Sequence, residues 1–416
     1  MLLSIYLGFI WFMELINVFG IFISIILFTG IALIPGLAVS FVNFSLFLDK
    51  RPKFDTKKPL PPISILIAAY NEEETIYNTL ETIYNQDYPN DIQVIVINDG
   101  SSDRTLQEVN KFIELTGIKT VLLLDNILNL GKSNSLNKGL EFVKHEITLT
   151  VDADSTLHQD ALVNLISTHI QSDQNYAAVA GSILCGNREK NIWTRIQFWD
   201  YLLGISSVKR TQSMYQGTLV AQGAFSSYTT SILKKVGGWP DKIGEDIVLT
   251  WNILSLGHKV GHSETAICFT NVPETYKSFW SQRKRWSRGL IEAFRQNYKL
   301  LFNRKRILPF IWYNLFFPYI DFVYMFAFFP GVLFAIFFKY YLIAGILTLV
   351  QLPFALIYNF TTKSIQVKDL KKQNIKIKED WLSFILFILF YQLMMVPSTL
   401  NGYISEILKT KKVWDG

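Results

Sequence analysis

Two aspartates one residue apart, Asp152 and Asp154, follow the apolar run Thr148–Val151. Side chains of an extended chain alternate between faces, so both carboxylates point roughly the same way across Ala153. Carboxylates held that close repel unless positive charge sits between them. A divalent cation carrying a diphosphate meets the need, because hard cations take oxygen ligands and share them with substrate phosphates. Asp and Ser are also ordinary turn residues, and an acidic turn after a strand is the plain alternative.

Four other stretches have chemistry to offer. Ala68-Ala69-Tyr70-Asn71-Glu72-Glu73 and Ile97-Asn98-Asp99-Gly100-Ser101-Ser102-Asp103 each put acids just after an apolar run. A carboxylate there can accept from a ribose hydroxyl or a base N–H, although tight turns use the same residues. Asn129-Leu130-Gly131-Lys132-Ser133 opens a predicted helix, where backbone N–H groups and a lysine favour an anion. A Ser N-cap beside a solvated Lys accounts for it equally well, and the glycine spacing of a Walker A loop is absent. Gly244-Glu245-Asp246 opens a helix expected over Ile247–Leu256 and offers a general base. A helix start stabilises the carboxylate and weakens it as a base, whereas neighbouring carboxylates push its pKa the other way. In Gln282-Arg283-Lys284-Arg285-Trp286, helical spacing puts Gln282, Arg285 and Trp286 on one face. Arg forks onto a diphosphate, and Trp gives a flat wall for a sugar ring. The alternative is a basic juxtamembrane helix anchored by an interfacial Trp.

The elements that must position these groups alternate. Strands are predicted at Ile63–Ala69, Ile92–Ile97, Thr120–Leu124 and Ile147–Val151. Helices are predicted at Glu72–Tyr84, Thr105–Leu115 and Ser133–Phe142. This alternation implies a parallel sheet covered by helices, and such sheets bind ligands at the carboxyl ends of strands. Asn71, Asp99 and Asp152 all fall there. From Thr275 to Tyr298 the pattern is amphipathic, aromatic and basic, as for a helix pair along a membrane surface.

The flanks are different. Half of the 416 residues are hydrophobic and 18% are charged, with 32 Phe, 19 Tyr and 10 Trp. The apolar residues concentrate before Asp49 and after Arg306, which describes an integral membrane protein with one large aqueous domain. Met1–Leu48 is long enough for two spans of ~20 residues joined by a tight turn, and it lacks the basic start of a cleavable signal. Ile307–Phe338 reads as an interfacial piece and one span, and Tyr340–Thr361 and Trp381–Tyr403 as two more. Five spans would put the termini on opposite sides, whereas the basic tail Lys409–Lys412 fits an inside placement. The net charge of +6 gathers beside these segments, at Arg283–Arg306 and Lys363–Lys378. That marks a cytoplasmic membrane face and, with no nucleic-acid motif, excludes nucleic acid as a partner. The two cysteines, Cys185 and Cys268, form no disulfide or metal pattern.

Asp99, the Asp152–Asp154 pair, Glu245-Asp246 and Gln282…Arg285-Trp286, in this order between membrane segments, resemble the processive family 2 glycosyltransferases. These are the membrane synthases of cellulose, chitin, hyaluronan and poly-N-acetylglucosamine. Val272-Pro273-Glu274-Thr275 before Trp280 and Gln282 is most similar to the bacterial poly-β-1,6-N-acetylglucosamine synthases. Gly-Glu-Asp in place of the usual Thr-Glu-Asp is shared with some chitin-oligosaccharide and hyaluronan synthases. The short tail lacks the cyclic-di-GMP-binding domain of bacterial cellulose synthase.

The resemblance implies a GT-A-type α/β nucleotide-sugar transferase domain over 63–272, cytosolic and inserted between transmembrane α-helices. Around it would lie two spans in 1–48, a linker at 49–62, amphipathic interface helices at 273–306, an interfacial segment and further spans at 307–404, and a tail at 405–416. It implies a hexosyltransferase of the cell membrane that polymerises a UDP-sugar with inversion, UDP-N-acetylglucosamine first among them, onto a growing polysaccharide. Chitin-, hyaluronan- or cellulose-type synthesis and single transfer to a lipid acceptor are the alternatives. Asp99 would bind uridine, Asp152 the nucleotide, and Asp154 a Mg²⁺ or Mn²⁺ ion. Tyr70, Glu72 and Lys132 would line the donor site. Asp246 would deprotonate the acceptor with help from Glu245. Gln282, Arg285 and Trp286 would close over the diphosphate and the acceptor end, and Gly223 would lie near the acceptor. The lipid bilayer and a small membrane subunit would be further partners.

Overall fold

The computed structural model describes residues 2–49, 58–117, 121–172, 175–303, 306–378 and 380–410. Most of the expected linker, Thr120, Arg304, Lys305 and the end of the tail lie outside the described residues.

Among the described residues eight strands form one sheet: β1 (Ile63–Ala69), β2 (Ile92–Asn98), β3 (Val121–Asp125), β4 (Ile147–Val151), β5 (Thr156–Leu157), β6 (Tyr176–Cys185), β7 (Phe225–Thr229) and β8 (Lys259–Thr270). Their order is β3-β2-β1-β4-β7-β6-β8-β5. The first half is parallel, with β1 between β2 and β4 and β3 outside β2. β7 runs antiparallel to β4 and β6, so the sheet is mixed and not wholly parallel. The parallel expectation rested on alternation that ends at Val151, beyond which the strands alternate less regularly with helices. Both faces of β1 and β2 are covered, which is why they read as unbroken apolar runs. Ile63, Ile65 and Ile67 face one core with Val94 and Val96, and Leu66 faces the other with Ile95 and Ile97.

Two helix expectations need correction. The first helix begins at Ile76, not Glu72. The backbone N–H groups of Glu72 and Glu73 are drawn instead to Thr105 and Asp103 of the neighbouring strand-end loop. The expected helix pair is one 22-residue helix, Tyr276–Asn297, opened by a capping box between Thr275 and Ser278.

Among the described residues three segments are long and apolar enough to cross a membrane: Ile5–Phe47, Leu308–Phe338 and Trp381–Ile407. Ile5–Phe47 is folded back on itself. Gly20 takes φ 73°, a conformation open to glycine, and Phe28 packs on Trp11 and Phe12 at 5.6 and 5.1 Å between ring centroids. Its second limb ends at Asp49, where Arg210 of the α/β domain reaches both Asp49 and Asp369 at 2.6 Å. Asp369 lies near the end of the helix Gly345–Lys372, which continues through part of the loop expected at Lys363–Lys378.

Candidate active site

The parallel strands β1, β2 and β4 end on one edge, and a cleft opens there. Lys132 starts the helix Lys132–Leu140 and donates to Asp152 Oδ1 at 2.5 Å. Its Nζ is 3.9 Å from Glu245 Oε1, so one ammonium bridges a strand end and a helix start far apart in the sequence. Burial alone would depress this lysine's pKa; the carboxylates of Asp152 and Glu245 outweigh it and hold it protonated. Gly223 closes the cleft over this pair. A Cβ there would stand 2.9 Å from Lys132 Nζ and 3.8 Å from Asp152 Oδ1.

The carboxylates crowd one another. Burial, then the charge of Asp152, pushes Asp154 up to about 6, with Lys132 pulling back. Burial pushes Glu72 up to about 7; a hydrogen bond from Thr75 opposes this, while Asp154 and Asp152 add to it. Glu245 is buried, which raises it to about 7 against the pull of Lys132. Thr270 Oγ1, at the end of β8, donates toward both oxygens of Asp154 at 3.4 Å. Such a cluster attracts a cation. Among the described residues no three His, Cys, Asp or Glu side chains are grouped to hold an ion alone. Asp154 with Asp152 fits an ion whose remaining ligands come from substrate phosphates and water, the usual Mg²⁺ arrangement.

The structure brings Glu72, Lys132, Asp152, Asp154, Gly223 and Glu245 together. Asp246 follows in the first turn of the helix Glu245–Ser255, which starts two residues earlier than the periodicity predicts. Tyr70 stands half-exposed at the end of β1. Asp99 is different. Only 3% exposed, it accepts from Leu130 N, Gly131 N, Asn126 Nδ2 and Ser135 Oγ at 2.7–3.0 Å. The carboxylate expected at the uridine thus also shapes the loop that presents Lys132.

The Gln282–Trp286 stretch is tied to this cleft through backbone. Gly244 and Gly289 cross so closely that a Cβ on Gly289 would lie 2.7 Å from Gly244 Cα. Glu292, one turn on, accepts from Gly244 N at 3.1 Å. Gly289→Ala must displace backbone, and a misplacement of ~1 Å can cost ~10²-fold in rate. The variant is expected to fold and bind UDP while losing at least about tenfold in transfer rate, read by sugar incorporation alongside calorimetric UDP binding.

Arg285 and Trp286 are exposed, and Gln282 Oε1 is buried with no hydrogen-bond partner among the described residues. Sequence reasoning missed the residue that holds this face. Arg283 is 1% exposed and donates to Asp200 at 3.0 Å, while its guanidinium lies 4.0 Å from the Trp286 ring centroid. Tyr391 OH donates to the same Asp200 oxygen at 2.6 Å. The available signal was that Arg283 follows Phe279 by four and precedes Leu290 by seven, which is the apolar face. Breaking a buried ion pair strands the other charge and costs about 3–5 kcal/mol. Arg283→Met is expected to lower the thermal midpoint accordingly, and Arg283→Met with Asp200→Leu to recover most of it.

Lys209 was also missed. Burial pushes its ammonium down to about 7, and the charge of Asp246 opposes this.

Comparison with known proteins agrees with this geometry. The family model described as "Glycosyl transferase family 2" matches residues 64–237. The chain is 33% identical over 250 residues to the poly-beta-1,6-N-acetyl-D-glucosamine synthase of Staphylococcus epidermidis, covering 60% of this chain and 59% of that protein. It is 32% identical over 387 residues to the probable glycosyltransferase YdaM of Bacillus subtilis, covering 85% and 88%. The mannosyltransferase PcManGT from Pyrobaculum calidifontis, solved with GDP-Man and Mn²⁺, superposes with a TM-score of 0.65 at 20% identity, over 93% of this chain and 98% of that one. The last likeness shows a GT-A-type fold. The match to YdaM spans nearly the whole of that protein, and the chain belongs to the family 2 glycosyltransferases.

Proposed function

We propose that this membrane glycosyltransferase is inverting and processive, joins N-acetylglucosamine from UDP-N-acetylglucosamine into a β-1,6-linked polymer, and passes the polymer through its membrane helices. The observation that carries the reading is the close crossing of Gly244 and Gly289. It locks the helix that carries Gln282, Arg285 and Trp286 to the cleft built from Lys132, Asp152, Asp154 and Glu245.

In this reading Lys132 and Asp152 seat the donor, with Tyr70 and Glu72 beside them. Asp99 acts through the loop it shapes. Asp246 takes the acceptor hydroxyl's proton while Glu245 keeps Lys132 in place. Arg285 offsets charge developing on the departing diphosphate, as preorganised cations do. Trp286 and Gln282 hold the acceptor's sugar at the mouth, above Gly223. A Mg²⁺ or Mn²⁺ ion held by Asp154 would supply further positive charge to the leaving diphosphate. A single displacement with one base inverts the anomeric carbon. The α/β domain is assigned to the cytoplasm, since basic residues flank the membrane segments on its side.

The deciding experiment offers the purified chain in nanodiscs a panel of radiolabelled UDP-sugars and digests the product with linkage-specific hydrolases. A long product cut by a β-1,6-specific hydrolase supports the reading. Chitin-, hyaluronan- or cellulose-type product would change the sugar or linkage, and one sugar on a lipid would end the processive assignment.

A further inference from the structure

The helix Trp381–Ile407 has the length and apolarity of a span, yet both its ends are fastened to the same domain. At its start, Asp380 pairs with Arg195 at 3.2 Å, and Trp199 Nε1 donates to Ser383 Oγ at 2.9 Å. Midway, Tyr391 meets Asp200. At its end, Glu406 pairs with Arg288 at 3.1 Å and with Arg295 at 3.0 Å, and Arg288 also donates to Thr410 O. All these partners belong to the α/β domain or to the Tyr276–Asn297 helix packed on it. A helix of 27 residues is ~40 Å long. Crossing a hydrocarbon core of ~30 Å would carry one end away from the charges that hold it.

Its faces are inverted for a helix in water. Ser383, Ser398, Thr399, Ser405 and Glu406 are buried against protein, and Thr399 donates to Asp321 at 2.6 Å. Leu382, Ile385, Leu389 and Leu393 form an outward stripe at helical spacing; the buried Val396 interrupts it, and Ile404 and Ile407 resume it near the end. Both stretches require an apolar partner, and the anchored ends place that partner at a single depth.

We propose that Trp381–Ile407 does not cross the bilayer but lies in its interface on the catalytic side. Lipid acyl chains cover the outward stripe, and the polar face clamps the Tyr276–Asn297 helix. The crossings are then the two limbs joined at Gly20, the Leu308–Phe338 segment and the Gly345–Lys372 helix. Asp49 and Asp369 on one Arg210 show that the second and fourth of these end beside the domain. Four crossings leave both termini on the catalytic side, which also accounts for the basic tail. The inference rests on the membrane reading and not on the reaction.

Single-cysteine variants test it, because the native Cys185 and Cys268 are both buried. Thr410→Cys is expected to react with a membrane-impermeant maleimide from the same side as Lys242→Cys and from the opposite side to Tyr340→Cys. Labelling of Thr410→Cys from the side of Tyr340→Cys overturns the proposal. A second readout works in reconstituted protein whatever the labelling yield. A bimane on Leu393→Cys, near mid-helix, is expected to be quenched about twofold more by nitroxide lipids labelled near the headgroup than near the chain end. Stronger quenching from the chain end would place that residue at the bilayer centre and overturn it.

Discussion

Asp246→Asn is expected to stop polymer formation while UDP binding stays within a factor of about two, a general base contributing ~10²–10⁴-fold. The substitution is nearly isosteric. Asp246 Oδ1 accepts from Ile247 N at 2.7 Å in the first helical turn, and an asparagine oxygen can accept the same bond. The fold around Lys132 and Asp152 should therefore survive. Neutralising the side chain removes the only function that distinguishes it, acceptance of a proton. Glu245→Gln should behave differently. Glu245 is buried and 3.9 Å from Lys132, so its loss removes one of the two carboxylates that hold the lysine proposed to seat the donor and should weaken UDP binding as well as turnover. Radiolabel incorporation and calorimetric UDP titration, run on both variants, separate the two roles. Wild-type turnover in Asp246→Asn would reassign the base, with Glu245 next in line.

Removing divalent cations is expected to abolish transfer, and added Mg²⁺ or Mn²⁺ to restore it. Asp152, Asp154 and Glu72 converge with one lysine among them, and burial together with mutual repulsion already disfavours their charged forms. A doubly charged donor diphosphate entering that cleft adds anionic charge where a single ammonium is present. A divalent ion is the economical remedy, since such ions bind through one or two carboxylates plus substrate phosphates. Asp154→Asn should weaken Mn²⁺ binding in the presence of UDP by at least about tenfold, measured by loss of the free-ion paramagnetic resonance signal. Full activity in excess EDTA would remove Asp154 from any metal role.

Much of the cleft's framework was legible from residues close in sequence. β1 and β4 have the predicted bounds, and β2 runs one residue further. Branched apolar runs buried on both faces leave little choice of state. The strand-end acids are also local, because a parallel sheet puts its loops at one edge. The start of the first helix was not legible, because Thr105 and Asp103 compete for the backbone N–H groups of Glu72 and Glu73 from thirty residues away.

By itself, then, the sequence determined which segments alternate, where they end, and which acids, lysine and Gln-x-x-Arg-Trp residues stand there. Tertiary structure decided which of those groups are buried and which meet one another. Asp99 turned inward because the loop 126–131 wraps back onto it with three donors and Ser135 of the following helix adds a fourth. Arg283, two positions from Arg285, went to the core because Asp200 and Tyr391 wait there. Gly244 and Gly289 join two chemistry-bearing stretches, the Glu245–Ser255 helix and the helix that carries Gln282–Trp286, because neither has a Cβ, a meeting that no local pattern contains. Trp381–Ile407 shows the same limit. Hydropathy reports that lipid will cover a helix, but its depth depends on where the ends are tied, and those ties are made to residues far along the chain.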